Sequence, residues 1–564
     1  MNGRKRLDKQ QLFVAGSFAF IMLVLLWRCF YSVNYGDEPY CISSVWRFYK
    51  GDALLAEDWF PAQQLIAWIL SPLFGMFRLF SDSNDGIVLV SRIGYVLFQG
   101  VVSVALYVRL KEYKVYRIPA VLFYLLFTQN NMFTLNYNTL GIGCMLLILT
   151  ILATETVYSK VTLMMVGVLA AIMILSQPYA IIMFFTWGLV VMIAIPFSFK
   201  NEISPLLKFR TFFWVGMGAF LVLLMFIAVV LSRAEISEIQ NGFRYLMSDP
   251  EHQMDFKYKF TKYFERFYRY YKYQIIMTGA CLVVGLLKNI RMVQFMKMYC
   301  FLLSVAAAIN ALIQLGWVSD YVPIDFVCVP MTFLGCSIWL LGEKKNKKLF
   351  FGWMIPALFY TFCVQLTTNT GILAVTSACI VASAGGVLLI GETLKDTKNV
   401  LGRGAYQAAV MIVVVVLGLQ GFLFMYHRIT ATWWSVPVNE CTVLLEKGPA
   451  KGIYTGEEDA KEYYQALENV DALQLDADDK VLFLDLDPMM YLYADLPVAA
   501  YSTWTIEENN FLQEYYEAYP EREPTIVCWT GAESEEDAVG MQYFLEKGYE
   551  RIEASEVIAL RKNK

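Results

Sequence analysis

The apolar positions of this chain come in long unbroken runs rather than in alternation. They fall at about 12–31, 87–108, 118–133, 137–154, 161–176, 178–197, 211–231, 274–290, 298–316, 323–341, 349–366, 371–391 and 404–426. A hydrocarbon core takes roughly 20 such residues per helical crossing, so the pattern predicts about thirteen transmembrane helices. A further apolar stretch, 62–80 (AQQLIAWILSPLFGMFRLF), is read as a helix lying at the outer interface or re-entering it. The reason is the distribution of cations. Arg109/Lys111/Lys114/Arg117, Lys160, Lys200/Lys208/Arg210, Lys288/Arg291/Lys297, Lys344/Lys345/Lys347/Lys348 and Lys395/Lys398/Arg403 occupy every second loop, in phase with Arg4, Lys5, Arg6 and Lys9. Basic loops mark the cytoplasmic side, and the phase survives only if 62–80 does not cross. An ordinary crossing there would make fourteen spans and turn the remainder over. The preferred phase puts the N-terminus in the cytoplasm. It puts the first loop 31–86, the loop 232–273 and everything after residue 426 on the outer face of the cytoplasmic membrane. Residues 12–31 are too long for a secretion signal and are followed by no small-residue cleavage site, so they read as a retained first helix.

After residue 426 the pattern changes to short apolar runs and amphipathic stretches. Lys480–Leu486 reads as a buried strand, Pro488–Tyr493 as the start of a helix, and Pro524–Trp529 as a second strand. Glu535–Lys547 reads as an amphipathic helix and Arg551–Arg561 as a closing strand or hairpin. The expected architecture is an all-α polytopic membrane domain, 1–426, followed by a small soluble α/β domain, 427–564.

Composition sharpens this division. Hydrophobic residues make up 57% of the chain and charged ones only 17%, more apolar surface than one water-soluble core can hide. The net charge of −4 conceals a basic membrane part and an acidic tail, since residues 427–564 hold 11 Lys+Arg against 28 Asp+Glu. An acidic soluble part has the wrong sign for phosphate attraction, which excludes a nucleic-acid partner. Most of the 11 cysteines sit in apolar runs as small hydrophobes, and Cys441 and Cys528 of the tail read as thiols rather than as a pair. His252 and His427 are the two histidines, and neither keeps metal-ligand company, which excludes zinc hydrolase chemistry and histidine triads.

The first loop carries the most informative polar residues: Asn34-Tyr35-Gly36-Asp37-Glu38-Pro39-Tyr40, and later Glu57-Asp58-Trp59-Phe60-Pro61. Adjacent carboxylates a few residues from a membrane surface are costly to hold near hydrocarbon. A solvated acidic loop is one reading. A general base that takes a proton from an incoming hydroxyl is the other.

The order of basic tail, first helix, Asp-Glu loop, amphipathic segment and Ser91-Arg92-Ile93-Gly94 opening the next span resembles the lipid-dependent GT-C glycosyltransferases. Within them it is most similar to the bacterial branch of protein O-mannosyltransferases and lipid A aminoarabinose transferases, closest over 31–155. The resemblance implies a polyprenyl-phosphate-linked sugar as donor, a glycan, lipid or protein acceptor, Asp37 as catalytic base and Glu38 as its neighbour. It also assigns a later acidic position of the loop to Glu57 or Asp58. Three positions depart from the family. Phe60-Pro61-Ala62 replaces a proline-rich run, Asn138 stands where an Asp is frequent, and Gln177 stands where a Lys is frequent. The donor head group is therefore expected to be held differently. No cofactor is implied with certainty. A divalent cation held by Asp37, Glu38 and Glu57/Asp58 stays open, weakened by Asn138.

Residues Asp255–Tyr273 (DFKYKFTKYFERFYRYYKY) form the second candidate site. At 100° per residue Phe256, Phe260, Tyr263, Phe264, Phe267 and Tyr271 share one side, and Lys259, Lys262, Arg266 and Arg269 the other. The segment reads as an interfacial helix, either a plain anchor in the head-group layer or the roof under which a lipid phosphate enters. Arg92, Arg244 and Arg233 are further cations for phosphate, though an arginine such as Arg92 at a helix end also snorkels without a ligand. Asn310, Gln314, Asp320 and Asp325 gather at the ninth-to-tenth turn, lining the same outer cavity or capping helices. In the tail, Asp485 and Asp487-Pro488 read as helix-capping rather than as a phosphotransfer site. The expected function is transfer of a sugar from a lipid phosphate to an outer acceptor. The rivals are a polymerase or ligase of lipid-linked polysaccharide, and a transporter or flippase, which predicts ionisable groups at mid-membrane and paired broken helices.

Overall fold

A computed structural model describes the chain apart from residues 1–8, 60–61, 156, 196–203, 247–254, 288–290, 318–322, 367–371, 398–401, 485–486, 505, 507–509, 531–539, 555–556 and 564. Arg4, Lys5, Arg6, Phe60, Pro61, Lys200, Lys288, His252, Asp320, Lys398 and Asp485 thus lie outside the described residues. The protein is a multi-pass helical membrane protein with a small α/β unit at its C-terminal end. Its helices are α1 (Lys9–Arg28), α2 (Asp37–Lys50), α3 (Ala67–Arg78), α4 (Ile87–Arg109), α5 (Arg117–Leu126), α6 (Tyr137–Thr154), α7 (Lys160–Ser176), α8 (Ile181–Ala194) and α9 (Phe209–Leu231). They continue as α10 (Ile236–Leu246), α11 (Phe256–Leu286), α12 (Arg291–Leu315), α13 (Pro323–Phe326), α14 (Val329–Leu341), the one-turn α15 (Lys347–Leu349), α16 (Ile355–Leu366), α17 (Ile372–Thr397) and α18 (Arg403–Thr430). Nine helical stretches among the described residues are long and apolar enough to cross a membrane. One of them, Ile87–Leu126, contains both α4 and α5, and α7 and α8 are shorter apolar helices. Each of the thirteen apolar segments falls on a helix. The segment 118–133 is α-helical only to Leu126, because Phe127 is extended (φ −83°, ψ 136°), and the left-handed Asn130 and Asn131 (φ 49° and 56°) then turn the chain.

Two helices bear on the pattern-based expectation, and the second differs from it. α3 has 12 residues, about 18 Å at 1.5 Å per residue, and it packs along α2. The basic-aromatic segment is not a separate interfacial rod. It is the N-terminal half of the 31-residue α11, which continues into the apolar half through a kink at Tyr271 (φ −125°, ψ 24°).

Helix contacts in the bundle are made close by glycine. A Cβ on Gly167 of α7 would lie 2.0 Å from the Val215 carbonyl oxygen of α9, and one on Gly218 of α9 the same distance from the Met164 oxygen. Gly335 of α14 and Gly386 of α17 meet in the same manner. In lipid the hydrophobic effect does not drive helices together, so backbone approach and van der Waals packing do. α17, rich in Ala, Ser and Gly, is the central helix, with 94% of its apolar window buried.

The tail contains β1 (Val443–Leu444), β2 (Tyr454–Thr455), α19 (Glu457–Ala472), β3 (Val481–Leu484), α20 (Pro488–Ala494), α21 (Asn510–Ala518), β4 (Ile526–Trp529), α22 (Met541–Glu546), β5 (Tyr549–Ala554) and β6 (Val557–Lys562). The four-stranded sheet runs β3-β4-β6-β5, with β3 and β4 parallel and a closing β5–β6 hairpin. Asp487 stands at the N-cap position of α20 and Pro488 at its first turn, but the Asp487 side chain does not cap the helix amides. None of the 11 cysteines is in a disulfide.

The tail is fastened to the first loop rather than tethered beside it. Ser32 N–H donates to the Tyr454 carbonyl and Tyr454 N–H to that of Phe30, each at 2.7 Å. Trp59 N–H donates to the Tyr501 carbonyl at 2.9 Å, and Trp46 Nε1 to Asp495 at 2.8 Å. Arg47, buried on α2, bonds Asp52 at 2.7 Å and lies 3.9 Å from Asp58. Arg522 of the tail bonds both Asp52 and Glu57.

Candidate functional site

Asp37 begins α2, where a carboxylate meets the positive end of the helix dipole. It is half-buried and does not hang in bulk solvent. Its Oδ2 accepts from Trp433 Nε1 at 2.9 Å. Trp433 lies in the link between α18 and the tail, and its ring stacks on that of Trp434, with 5.0 Å between centroids. That link is itself held. Arg28 donates to the Ala431 carbonyl at 2.9 Å, and Ser435 donates to Asp459 at 2.6 Å. Asp459 also takes Thr455 at 3.0 Å, while its carbonyl accepts from Tyr35 of the first loop. Helix start, tryptophan and link therefore fix the orientation of Asp37 together.

Glu38, one residue on, points into the protein and is 1% exposed. Arg92 of α4 grips it in a two-pronged pair, Nε to Oε1 at 2.7 Å and one terminal nitrogen to Oε2 at 2.5 Å. The other terminal nitrogen of Arg92 donates to the carbonyls of Cys29 and Tyr31, each at 3.1 Å. Arg92 thus ties the end of α1, the start of α2 and α4 into one corner. Two more arginines are buried beside it. Arg28, ending α1, and Arg428, near the end of α18, lie on the Phe133 ring at 5.5 and 4.9 Å from its centroid. Arg428 is held by the Leu126 carbonyl and by Asn131 Oδ1, at 2.9 and 2.7 Å. Arg28 lies in Coulombic range of both Arg92 and Arg428, and its Nε has no hydrogen-bond partner among the described residues. Glu38 is the carboxylate that directly ion-pairs with this trio among the described residues.

An apolar groove of about 490 Å³ lies between α2, α3 and α4. Cys41, Ile42 and Val45 form one wall, Leu70 and Phe74 the second, and Ile87, Val90 and Gly94 the third. Leu73, Met76 and Phe80 are exposed at its mouth. Asp37 and Cys41 are four residues apart on α2 and so share a face, which places the carboxylate one turn from the end of the groove. Removal of water, and then the nearby carboxylates of Asp37 and Glu38, push the Cys41 thiol above its ordinary pKa, so the wall is neutral. The arrangement offers a greasy channel for a chain-like molecule within one helical turn of a carboxylate.

No protein-family model and no curated protein matches the chain. Among solved structures, it is similar to the archaeal oligosaccharyltransferase AglB from Archaeoglobus fulgidus, in complex with an inhibitory peptide and a dolichol-phosphate. The identity is 10% and the TM-score 0.45, over 92% of this chain and 69% of that one. A likeness of that strength carries no argument about chemistry, which rests on the residues.

The other sequence-derived candidates are distributed as follows. Glu57 faces the tail, receiving Arg522 and the Ala53 amide, and Asp58 is buried near Arg47. Asn138 and Gln177 bond each other at 2.7 Å, and Gln177 accepts from Tyr360 at 2.5 Å. Lys259 is buried and donates to the Leu366 carbonyl at 2.9 Å, and Lys262 pairs with Glu265 at 2.7 Å. Arg266 is half-buried and Arg269 exposed, the latter beside Tyr270. α11 packs on α12, α14, α16 and α17, and no close packing of it on α2 is found among the described residues. Arg244 is exposed on α10, whose Tyr245 stacks on Trp59 at 4.1 Å, and Arg233 donates to the Phe48 carbonyl at 2.6 Å. Asn310 and Gln314 are within 3.4 Å of each other, and buried Asp325 accepts from Ser377 at 3.0 Å and from the Asn130 amide at 3.1 Å.

A divalent cation does not fit this arrangement of carboxylates. Glu38 is engaged by Arg92 and Glu57 by Arg522, and the described residues contain no group of three acidic, His or Cys side chains able to hold a metal.

Three residues of the site escaped the sequence reading: Trp433, Arg28 and Arg428. The two arginines lie at the ends of spans, where cations usually snorkel, so their letters carry no signal of burial. The tryptophan pair Trp433-Trp434 just beyond the last span was the one available hint.

Proposed function

We propose that the chain is a membrane glycosyltransferase that moves a sugar from a polyprenyl-phosphate carrier to a hydroxyl of a glycan, lipid or protein acceptor. The observation that carries this reading is the apolar groove between α2, α3 and α4 ending one turn from Asp37. A polyprenyl tail needs such a channel, while its sugar-phosphate head needs a carboxylate and cations at the end. Asp37 takes the proton of the acceptor hydroxyl. The acceptor oxygen bonds the anomeric carbon, the anomeric carbon–oxygen bond to the carrier breaks, and the phosphate leaves with the electron pair. The field of Arg28, Arg92 and Arg428 favours that departing anion. In this reading residues 1–426 are the catalytic membrane domain and 427–564 an extracytoplasmic domain that closes over the site through Trp433. Lys259, Lys262, Arg266 and Arg269 of α11 serve the lipid carrier, and the hydrogen-bonded Asn138 and Gln177 meet its head group without charge.

The test uses purified protein in detergent with a labelled polyprenyl-phosphate sugar. Asp37→Asn is expected to lower transfer by roughly 10²–10⁴-fold, the usual contribution of a general base, with an unfolding temperature close to wild type. Full transfer by that variant would remove Asp37 as the base, and the absence of any transfer by wild type across lipid-phosphate donors would remove the activity.

A further inference from the structure

The largest hollow among those described lies at the other end of the bundle. α18 runs from Arg403 to Thr430, about 40 Å at 1.5 Å per residue, and its far end leads to Trp433 and Asp37. Around its first turns is a cavity of about 630 Å³ walled by Phe295, Met298 and Leu302 of α12 and by Ala405, Ala408 and Ile412 of α18. Its rim is charged. Arg291, Lys297 and Lys344 line it together with Glu343 and Asp396, three cations against two anions. Lys345 sits just outside, 5.1 Å above the Trp339 ring. Burial and then repulsion from Lys297 lower its pKa from the ordinary lysine value, a sign of positive charge crowded at the mouth. An oily wall under a cationic rim matches an amphiphile with an anionic head.

We propose that this cavity binds an anionic phospholipid of the surrounding bilayer, its phosphate held by Arg291, Lys297 and Lys344 and an acyl chain laid between α12 and α18. The occupant is joined to the two helices that run to the Asp37 end, so it stabilises the bundle from the opposite face. This site stands apart from the glycosyl-transfer reading and does not depend on it.

Full-length protein in a neutral detergent, titrated with phosphatidylglycerol or phosphatidylcholine and followed by native mass spectrometry and unfolding temperature, decides the matter. Phosphatidylglycerol is expected to bind and to raise the unfolding temperature, with phosphatidylcholine much weaker. Lys297→Gln/Lys344→Gln is expected to weaken binding roughly 30-fold. Lys111→Gln/Lys114→Gln, two exposed lysines at the same end of the bundle, leaves it within about twofold. Ala408→Trp, which fills the hollow, abolishes it while leaving the charges intact. Equal binding of the two lipids, an equal loss in the Lys111/Lys114 control, or full binding by Ala408→Trp would each overturn the proposal.

Discussion

Asp37 and Glu38 are neighbours in sequence with opposite environments. Successive residues on a helix point about 100° apart, so one carboxylate faces the link at Trp433 and the other enters the corner held by Arg92. Breaking a buried ion pair leaves a charge uncompensated, at a cost of about 3–5 kcal/mol. Glu38→Ala is therefore expected to destabilise the protein strongly, seen as a large fall in unfolding temperature, with Glu38→Ala/Arg92→Met recovering much of it. Trp433→Phe keeps the ring and removes one hydrogen bond to Asp37. It is expected to lower the turnover number up to about tenfold with little change in stability, since a typical hydrogen bond contributes roughly 0.5–1.5 kcal/mol. An unchanged turnover number would show that Trp433 does not orient the carboxylate. The pair was visible in the first loop, but not that Asp37 meets Trp433 while Glu38 is buried on Arg92, because a helix start in the middle of a polar loop leaves no apolar period. The Asn138–Gln177 bond was equally hidden: two departures from a family pattern, noted one at a time, turn out to be partners.

At the scale of elements, the apolar runs announced the helices because bilayer length and backbone satisfaction leave few alternatives. What the runs do not encode is which faces meet, and small residues decide that. Gly167→Leu would drive a side chain into the Val215 carbonyl across α7 and α9. Loss of folded protein by size exclusion is expected, while Gly216→Leu on α9, where added atoms meet open space, is tolerated. The groove between α2, α3 and α4 offers a matched test of function. Gly94 lines it and has room for a side chain, so Gly94→Phe is expected to keep the fold, raise the KM for the lipid donor and leave turnover at saturation nearly unchanged. A donor KM equal to wild type would mean that the tail lies elsewhere. The continuity of α11 shows the converse limit of periodicity. A basic amphipathic stretch and an apolar one read as two elements, although a single kinked helix carries both.

At the scale of the molecule, the acidic tail and the first loop form one assembly, and the charges that looked like a metal or substrate cluster serve to join them. Burial opposes the charged guanidinium of Arg47, yet Asp52 and Asp58 raise its pKa above the ordinary arginine value, and the same balance with Asp52 first among the carboxylates raises that of Arg522. The net charge of the tail set it apart from the membrane part but did not say where it docks, since that depends on pairs such as Arg522 and Glu57, 465 positions apart. Within the tail, Glu523 receives Lys547 and Lys562 across the edge of the sheet. Partial burial raises the Glu523 pKa, but the hydrogen bonds from the two lysines outweigh it, and the carboxyl is held below the ordinary glutamate value. A carboxyl whose folded pKa is depressed adds stability that is complete above its unfolded pKa and is lost as pH falls through the folded one. Hydrogen exchange at β5 and β6 in the full-length protein is therefore expected to be slow and constant from neutral pH down to the ordinary glutamate range. Below it, exchange corrected for its intrinsic pH dependence should quicken. Glu523→Gln removes the titrating group, so the hairpin should be weaker at neutral pH and the acid step smaller. The same acid step in both proteins would assign it to other carboxylates.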